Sequence, residues 1–359
     1  RSYEMRRLVN VFLSIRVHVR QDWGKVKDHN ASSTEMFMDL IYVVVALQLA
    51  DFLKYHLDAD GILTSLLYVI LFVLSWLDMT SFWTRFRAER PLHMAGMGLG
   101  MLGIFCMALL DPEKGSVAIH NNDVFLIGFI INRVGLLILY SMTLATNKRA
   151  RAYASEAVVL FVGEILLWVG IIFMPNSAAL AFMALTPAVH LGVRMFYSTR
   201  NYIQLNVTHT THRFGELVLI FIGESIVALV FTAPQDGARQ DFRYYASVLA
   251  GFIAMYGIKQ ICFAAVPHDP ELNVLRRSRN RGRIYSLAHF PLCTALLGVG
   301  VGFKLLISHA LNEKAKADEA WLLSASLLLT LASAWLIRLA HPRAQRAGLH
   351  ALRACAATR

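Results

Sequence analysis

Four glutamates pose the first question. Glu156 and Glu164 lie in 'SEAVVLFVGEILLW', and Glu216 and Glu224 lie in 'GELVLIFIGESIVA'. At an offset of 60, Glu156 meets Glu216, Val158 meets Val218, Phe161 meets Phe221, Gly163 meets Gly223 and Glu164 meets Glu224. This is the signature of an internal repeat built on pairs of carboxylates. Eight residues of helix separate the members of each pair by ~12 Å along the axis and about 80° around it. If these helices span a membrane, the second glutamate of each pair lies deep in hydrocarbon, where an ionised group costs roughly 2.5–3.5 kcal/mol on the lenient scale. Glu35 and Asp39, in 'STEMFMDLIYVVVALQLADF', form a further acidic pair on one helical face. Arg133 and Lys259 are the deep cations that could balance them, whereas Arg194, Lys304 and Arg338 stand close enough to segment ends to snorkel. Two chemistries fit. One is a path for a proton, ion or substrate lined by Glu35, Asp39, Glu156, Glu164, Glu216 and Glu224. The other is polar glue between packed helices.

'HTTHRFGE' adds His209 and His212 to Glu216 at spacings of three and four, one helical face that suits a metal. Other patterns carry less. Gly98, Gly100 and Gly103 match a dinucleotide fingerprint but follow no strand. Gly96 with Gly100 and Gly298 with Gly302 read instead as small-residue helix contacts, and Gly223 as a position where a neighbouring helix can approach Glu224. Ser225 lacks the glycine pattern of a nucleophile elbow. Cys106, Cys262, Cys293 and Cys355 form neither a CxxC pair nor a disulfide framework. No catalytic residue and no cofactor is expected.

These residues must be positioned by long apolar elements. The chain has 359 residues, 56% hydrophobic and only 16% charged, with a mean hydropathy of +0.49. A soluble domain carries roughly 25% charge, so a soluble enzyme, a disordered chain and a disulfide scaffold are excluded. Ten apolar segments appear at 34–53, 62–80, 92–110, 124–145, 154–174, 178–198, 213–232, 244–266, 284–308 and 320–340. Each suits a helix crossing a ~30 Å hydrocarbon core. Pro175-Asn176 splits the fifth and sixth as a tight hairpin. The fold class expected is all-α, a polytopic bundle of about ten helices with parallel helical-hairpin repeats.

Of the 35 Lys and Arg, 24 fall on alternating loops and termini of one side and six on the other. This split places both termini inside. It also accounts for the net charge of +11, with anionic lipid headgroups as partners of the basic face and no nucleic acid. Asn30 and Asn206 match the glycosylation pattern but fall on the inner side. Met5, Leu8, Val9, Phe12 and Leu13 predict an amphipathic helix within a basic segment 1–33, lying on the inner surface or docking a partner. Residues 34–340 form the membrane domain and 341–359 a basic tail. The start at Arg1 looks processed, which would suit an organellar inner membrane or thylakoid.

Two of these segments carry a family resemblance. 'TEMFMDLIYVVVALQLA' resembles the first membrane segment of the bacterial low temperature requirement protein A family, and 'HRFGELVLIFIGESIVA' resembles its second signature, with 'FWTRFRAERPLHMAG' similar to the segment after the second helix. The positions carried over are Glu35, Asp39, Arg213, Gly223, Glu224 and Ser225. The chain departs where His212 replaces a usual Glu and Glu216 a usual apolar residue, moving a carboxylate one turn along the same face. The acidic cluster usual after the Arg-Phe is here Arg87-Ala88-Glu89-Arg90. The resemblance implies a membrane protein of many helices. Two functions are expected from the residues: an ion- or proton-coupled transporter or channel, or a non-transporting subunit of a large membrane assembly, either of them a homo-oligomer or part of a larger complex.

Overall fold

A computed structural model describes residues 17–19, 32–87, 90–111, 123–197, 203, 205–231, 242–267, 269–309 and 317–341. Among these described residues ten long helices follow in order: α1 (Ser33–Tyr55), α2 (Ala59–Trp83), α3 (Pro91–Met107), α4 (Asp123–Thr146), α5 (Arg151–Ile171), α6 (Asn176–Tyr197), α7 (Val207–Phe231), α8 (Phe242–Ala264), α9 (Arg279–His309) and α10 (Ala317–Ala340). Nine of these, among the described residues, are long and apolar enough to cross a membrane, and α3 is shorter at 17 residues. At 1.5 Å per residue α3 is ~25 Å long, the lower limit for a span. The protein is an all-α polytopic membrane protein.

The expected segments coincide with the ten helices, and the ends differ for local reasons. Helix α5 starts early because the Asn147 side chain accepts from the backbone N–H of Arg149 and Ala150 and caps a single 3-10 turn ahead of it. Ser32 caps α1 through the N–H of Glu35. Pro at the first position opens α3. Helix α5 ends at Ile171 and α6 begins at Asn176, so Pro175 does mark a tight hairpin. A two-residue strand pair, β1 (His18–Val19) with β2 (Phe86–Arg87), is antiparallel. The predicted surface helix over Met5–Leu13, Asn30 of the first glycosylation pattern, Glu89 and residues 342–359 lie outside the described residues.

The chain divides into two compact units, residues 1–210 and 211–359. In the first, α1 buries Met38, Tyr42, Val45, Ala46, Leu49 and Phe52, while Phe37, Leu40 and Val44 on the other face are exposed. Exposed apolar faces recur on other helices, with Val159, Leu166 and Val189 among them. Lipid is the solvent such faces need. Buried polar groups meanwhile turn inward.

Helices α3 and α4 pack backbone against backbone. A Cβ on Gly103 would strike the Asn132 backbone, one on Gly128 the Met107 N–H, and one on Gly135 the Gly100 backbone. The predicted contacts at Gly96 and Gly100 belong to this seam: Gly96 lies against Leu139, and Gly100 against Met79 and Asn132, whose amide donates to the Gly100 carbonyl at 3.0 Å. In the second unit Gly298 and Gly302 of α9 fit against Ser326 and Leu323 of α10. Gly223 is corrected: among the described residues nothing lies within 4 Å of a Cβ placed there, so it mediates no close helix contact.

Candidate functional site

Four helices of the first unit each bring a polar residue to one buried point. Helix α2 supplies Asp78, α4 supplies Arg133, α5 supplies Glu164 and α6 supplies His190 and Arg194. Asp78, Arg133, Glu164 and His190 are all buried. Arg133 Nη1 donates to Asp78 Oδ2 at 2.6 Å, and its Nε lies 2.9 Å from Glu164 Oε2. One guanidinium thus clamps two carboxylates, a task its planar fork suits. Its cationic face lies 4.3 Å from the Phe129 ring centroid and 5.6 Å from that of Phe161.

His190 makes the second bridge. Nδ1 is 2.6 Å from Glu164 Oε1 and Nε2 is 3.1 Å from Asp78 Oδ1. Arg194 closes the cluster, with Nη2 3.4 Å from Asp78 Oδ1 and the guanidinium among the rings of Tyr140, Tyr153 and Phe161. The snorkelling expected of Arg194 is therefore corrected. Its position one turn beyond His190 on the same face of α6 turns it toward Asp78.

The His190 geometry has a chemical consequence. A neutral imidazole carries one N–H and one lone pair. Here both ring nitrogens face carboxyl oxygens. Two good hydrogen bonds require either an imidazolium between two carboxylates, or a neutral ring with one carboxyl protonated. Both descriptions place one additional proton in the Asp78–His190–Glu164 bridge. Removing it sets a lone pair against a lone pair and breaks one of the two links between helices.

The other expected residues fall as follows. Glu35 Oε2 is 2.8 Å from His209 Nε2, and both side chains are buried. Asp39 Oδ1 accepts from the Trp76 indole at 3.5 Å. Glu156 is half-buried on α5 and lies with Glu164 on the wall of a cavity of about 580 Å³ between α5 and α6. In the second unit Glu216 accepts from Arg213 Nη1 at 2.6 Å. Glu224 is fully buried beside Gly300 of α9, where a Cβ would meet the carboxylate and Ser225. Ser225 itself donates to backbone carbonyls of Phe221 and Leu296.

Each half of the sequence repeat therefore has a partly exposed first glutamate and a buried second one: Glu164 sits in the ion cluster of the first unit, and Glu224 packs beside Gly300 in the second. Arg133 is the counter-charge expected for Glu164. Lys259, the other expected counter-charge, lies in the second unit with its ammonium 5.3 Å from the Phe263 ring centroid, and it makes no ion pair among the described residues. The metal reading of His209, His212 and Glu216 is also corrected. His209 turns to Glu35 and Glu216 to Arg213, and no group of three or more His, Cys, Asp or Glu among the described residues is placed to hold a metal.

Sequence reasoning missed Asp78, His190 and the inward role of Arg194. A signal existed. Asp78 follows the uncharged run from Gly61 to Leu77, and His190 lies within the long uncharged stretch Ile165–Val193. A titratable group in such a run needs a partner in the bundle.

Comparison with known proteins agrees with this membrane architecture. No curated protein and no solved structure matches the chain. A family model described as bacterial low temperature requirement A protein matches residues 30–358, which takes in every described helix. The chain therefore belongs to the low temperature requirement A (LtrA) family of membrane proteins.

Proposed function

We propose that this LtrA-family protein is a proton-coupled transporter without enzymatic activity, and that the Asp78–His190–Glu164 bridge clamped by Arg133 carries the proton. The observation that supports this reading is the imidazole with both nitrogens on buried carboxyl oxygens. Gain or loss of one proton there makes or breaks a link between α6 and its neighbours, which is what a translocation step needs. The charge split between alternate loops supports an orientation with both termini inside and the Arg276–Arg283 region at anionic headgroups.

The test is proton flux into vesicles. Purified protein is reconstituted with a pH-sensitive dye inside, and a potassium diffusion potential is imposed. Wild-type vesicles acidify faster than empty ones, and Glu164→Gln and His190→Gln lower the rate at least about tenfold while eluting as folded protein. Wild-type vesicles no faster than empty ones, or variants as fast as wild type, refute the reading. A silent protein recovered only with fixed partner subunits would instead be the structural component of a larger assembly.

A further inference from the structure

The cavity between α5 and α6 carries information about what is exchanged for the proton. Its volume of about 580 Å³ is that of a site for a small organic molecule. The walls are mostly carbon, from side chains such as Val159, Leu167, Leu185 and Val189, and Gly163 leaves its rim open, with no atom of the described residues within 4 Å of a Cβ placed there. Two carboxyl groups, Glu156 and Glu164, stand on the α5 wall two turns apart, and no Lys, Arg or His among the described residues lines the cavity.

Glu156 Oε2 is shielded from solvent and accepts no hydrogen bond among the described residues. The field of Arg194 reaches Glu156, but that guanidinium is engaged with Asp78 and the surrounding rings. A shielded acidic oxygen in a carbon-lined cleft repels an anion. An inorganic cation would need a shell of oxygen ligands that these walls do not offer. An aliphatic lipid tail would offer nothing to the shielded Glu156 oxygen.

We infer that the cavity is the binding site of a hydrophobic organic cation, a bulky amine or quaternary onium ion with Glu156 as its counter-charge. The inference rests on the proton-coupled reading and names its substrate class. The cation seats its charge between Glu156 and Glu164. Beside Glu164 it competes with His190 for that carboxylate, so its arrival releases the proton of the bridge and its departure restores it. One positive charge replaces another, and the buried site keeps its charge balance.

The experiment uses two probes of equal size and opposite charge, tetraphenylphosphonium and tetraphenylborate, with the purified full chain in detergent. Labelled phosphonium binds saturably by equilibrium dialysis, borate does not, and a pH dye in weakly buffered solution reports about one proton released per phosphonium bound. Glu156→Gln weakens phosphonium binding roughly tenfold, the effect of one charge at a partly exposed site. Gly163→Leu fills the rim and abolishes binding. Both variants melt like wild type, since one residue is half-exposed and the other borders open space. Equal binding of the two probes, or unchanged affinity in Glu156→Gln, makes the cavity an apolar crevice for lipid and overturns the inference. If that happens while wild-type vesicles still conduct protons, only the substrate class falls. If phosphonium binds as described but releases no proton and no flux is seen, the coupling falls instead.

Discussion

Arg133→Met is the sharpest perturbation of this protein. The guanidinium is fully buried and holds two carboxylates at 2.6 and 2.9 Å. Removing one partner of a buried ion pair costs roughly 3–5 kcal/mol. Two pairs share this cation, and of the two carboxylates only Asp78 is also paired with Arg194, at 3.4 Å. The upper end, about 5 kcal/mol, is expected. Glu164→Gln alone should cost about 1–3 kcal/mol, since the amide still bonds His190 but pairs poorly with the guanidinium. In the Arg133→Met background the same substitution removes the carboxylate left without its cation. There it should stabilise, by about 1–2 kcal/mol. Reversible unfolding in mixed micelles, followed by circular dichroism as denaturing detergent is added, measures all four proteins of the cycle. The reversal of sign is the result that matters. If Arg133→Met costs under about 1 kcal/mol, or Glu164→Gln destabilises equally in both backgrounds, the guanidinium does not hold the cluster together.

The same unfolding assay checks the packing claims. Gly103→Ala forces a Cβ into the Asn132 backbone and should cost about 1–3 kcal/mol, whereas Gly98→Ala, which meets nothing within 4 Å, should stabilise by about 0.5–1 kcal/mol. Gly300→Ala should destabilise by a similar 1–3 kcal/mol, because the new methyl meets Glu224 and Ser225. His209→Ala deprives buried Glu35 of its 2.8 Å partner and should cost about 1–3 kcal/mol. His341 directly follows α10, and burial holds its pKa below the usual 6.5, against the Ile337 carbonyl that accepts from its Nδ1. The unfolded chain then binds the extra proton more readily, so this contribution to stability is present above pH 6.5 and is lost as the pH falls below it. His341→Gln should flatten that acid limb in melting curves taken from pH 7.5 to 5.

The ten helices, their order and the hairpin at Pro175 are legible in the sequence. Apolar runs of membrane length report the solvent around a helix, and that property is local. The burial of Glu164 and Glu224 is legible for the same reason, as is the pairing of Glu164 with Arg133, the deep cation of α4. Spacing along a helix could not say which faces meet. Asp78 finds Arg133 55 residues away and His190 112 residues away. The glycine seam between α3 and α4 shows the same limit: Gly103, Gly128 and Gly135 make its tightest contacts, yet Gly98 and Gly223 look equally suitable in sequence and face open space. Sequence determined that these side chains must leave water and that buried charges must be balanced. Tertiary packing alone decided the balance, because a partner across a bundle is fixed by the rotation and approach of four helices, and no repeat within any one of them encodes it.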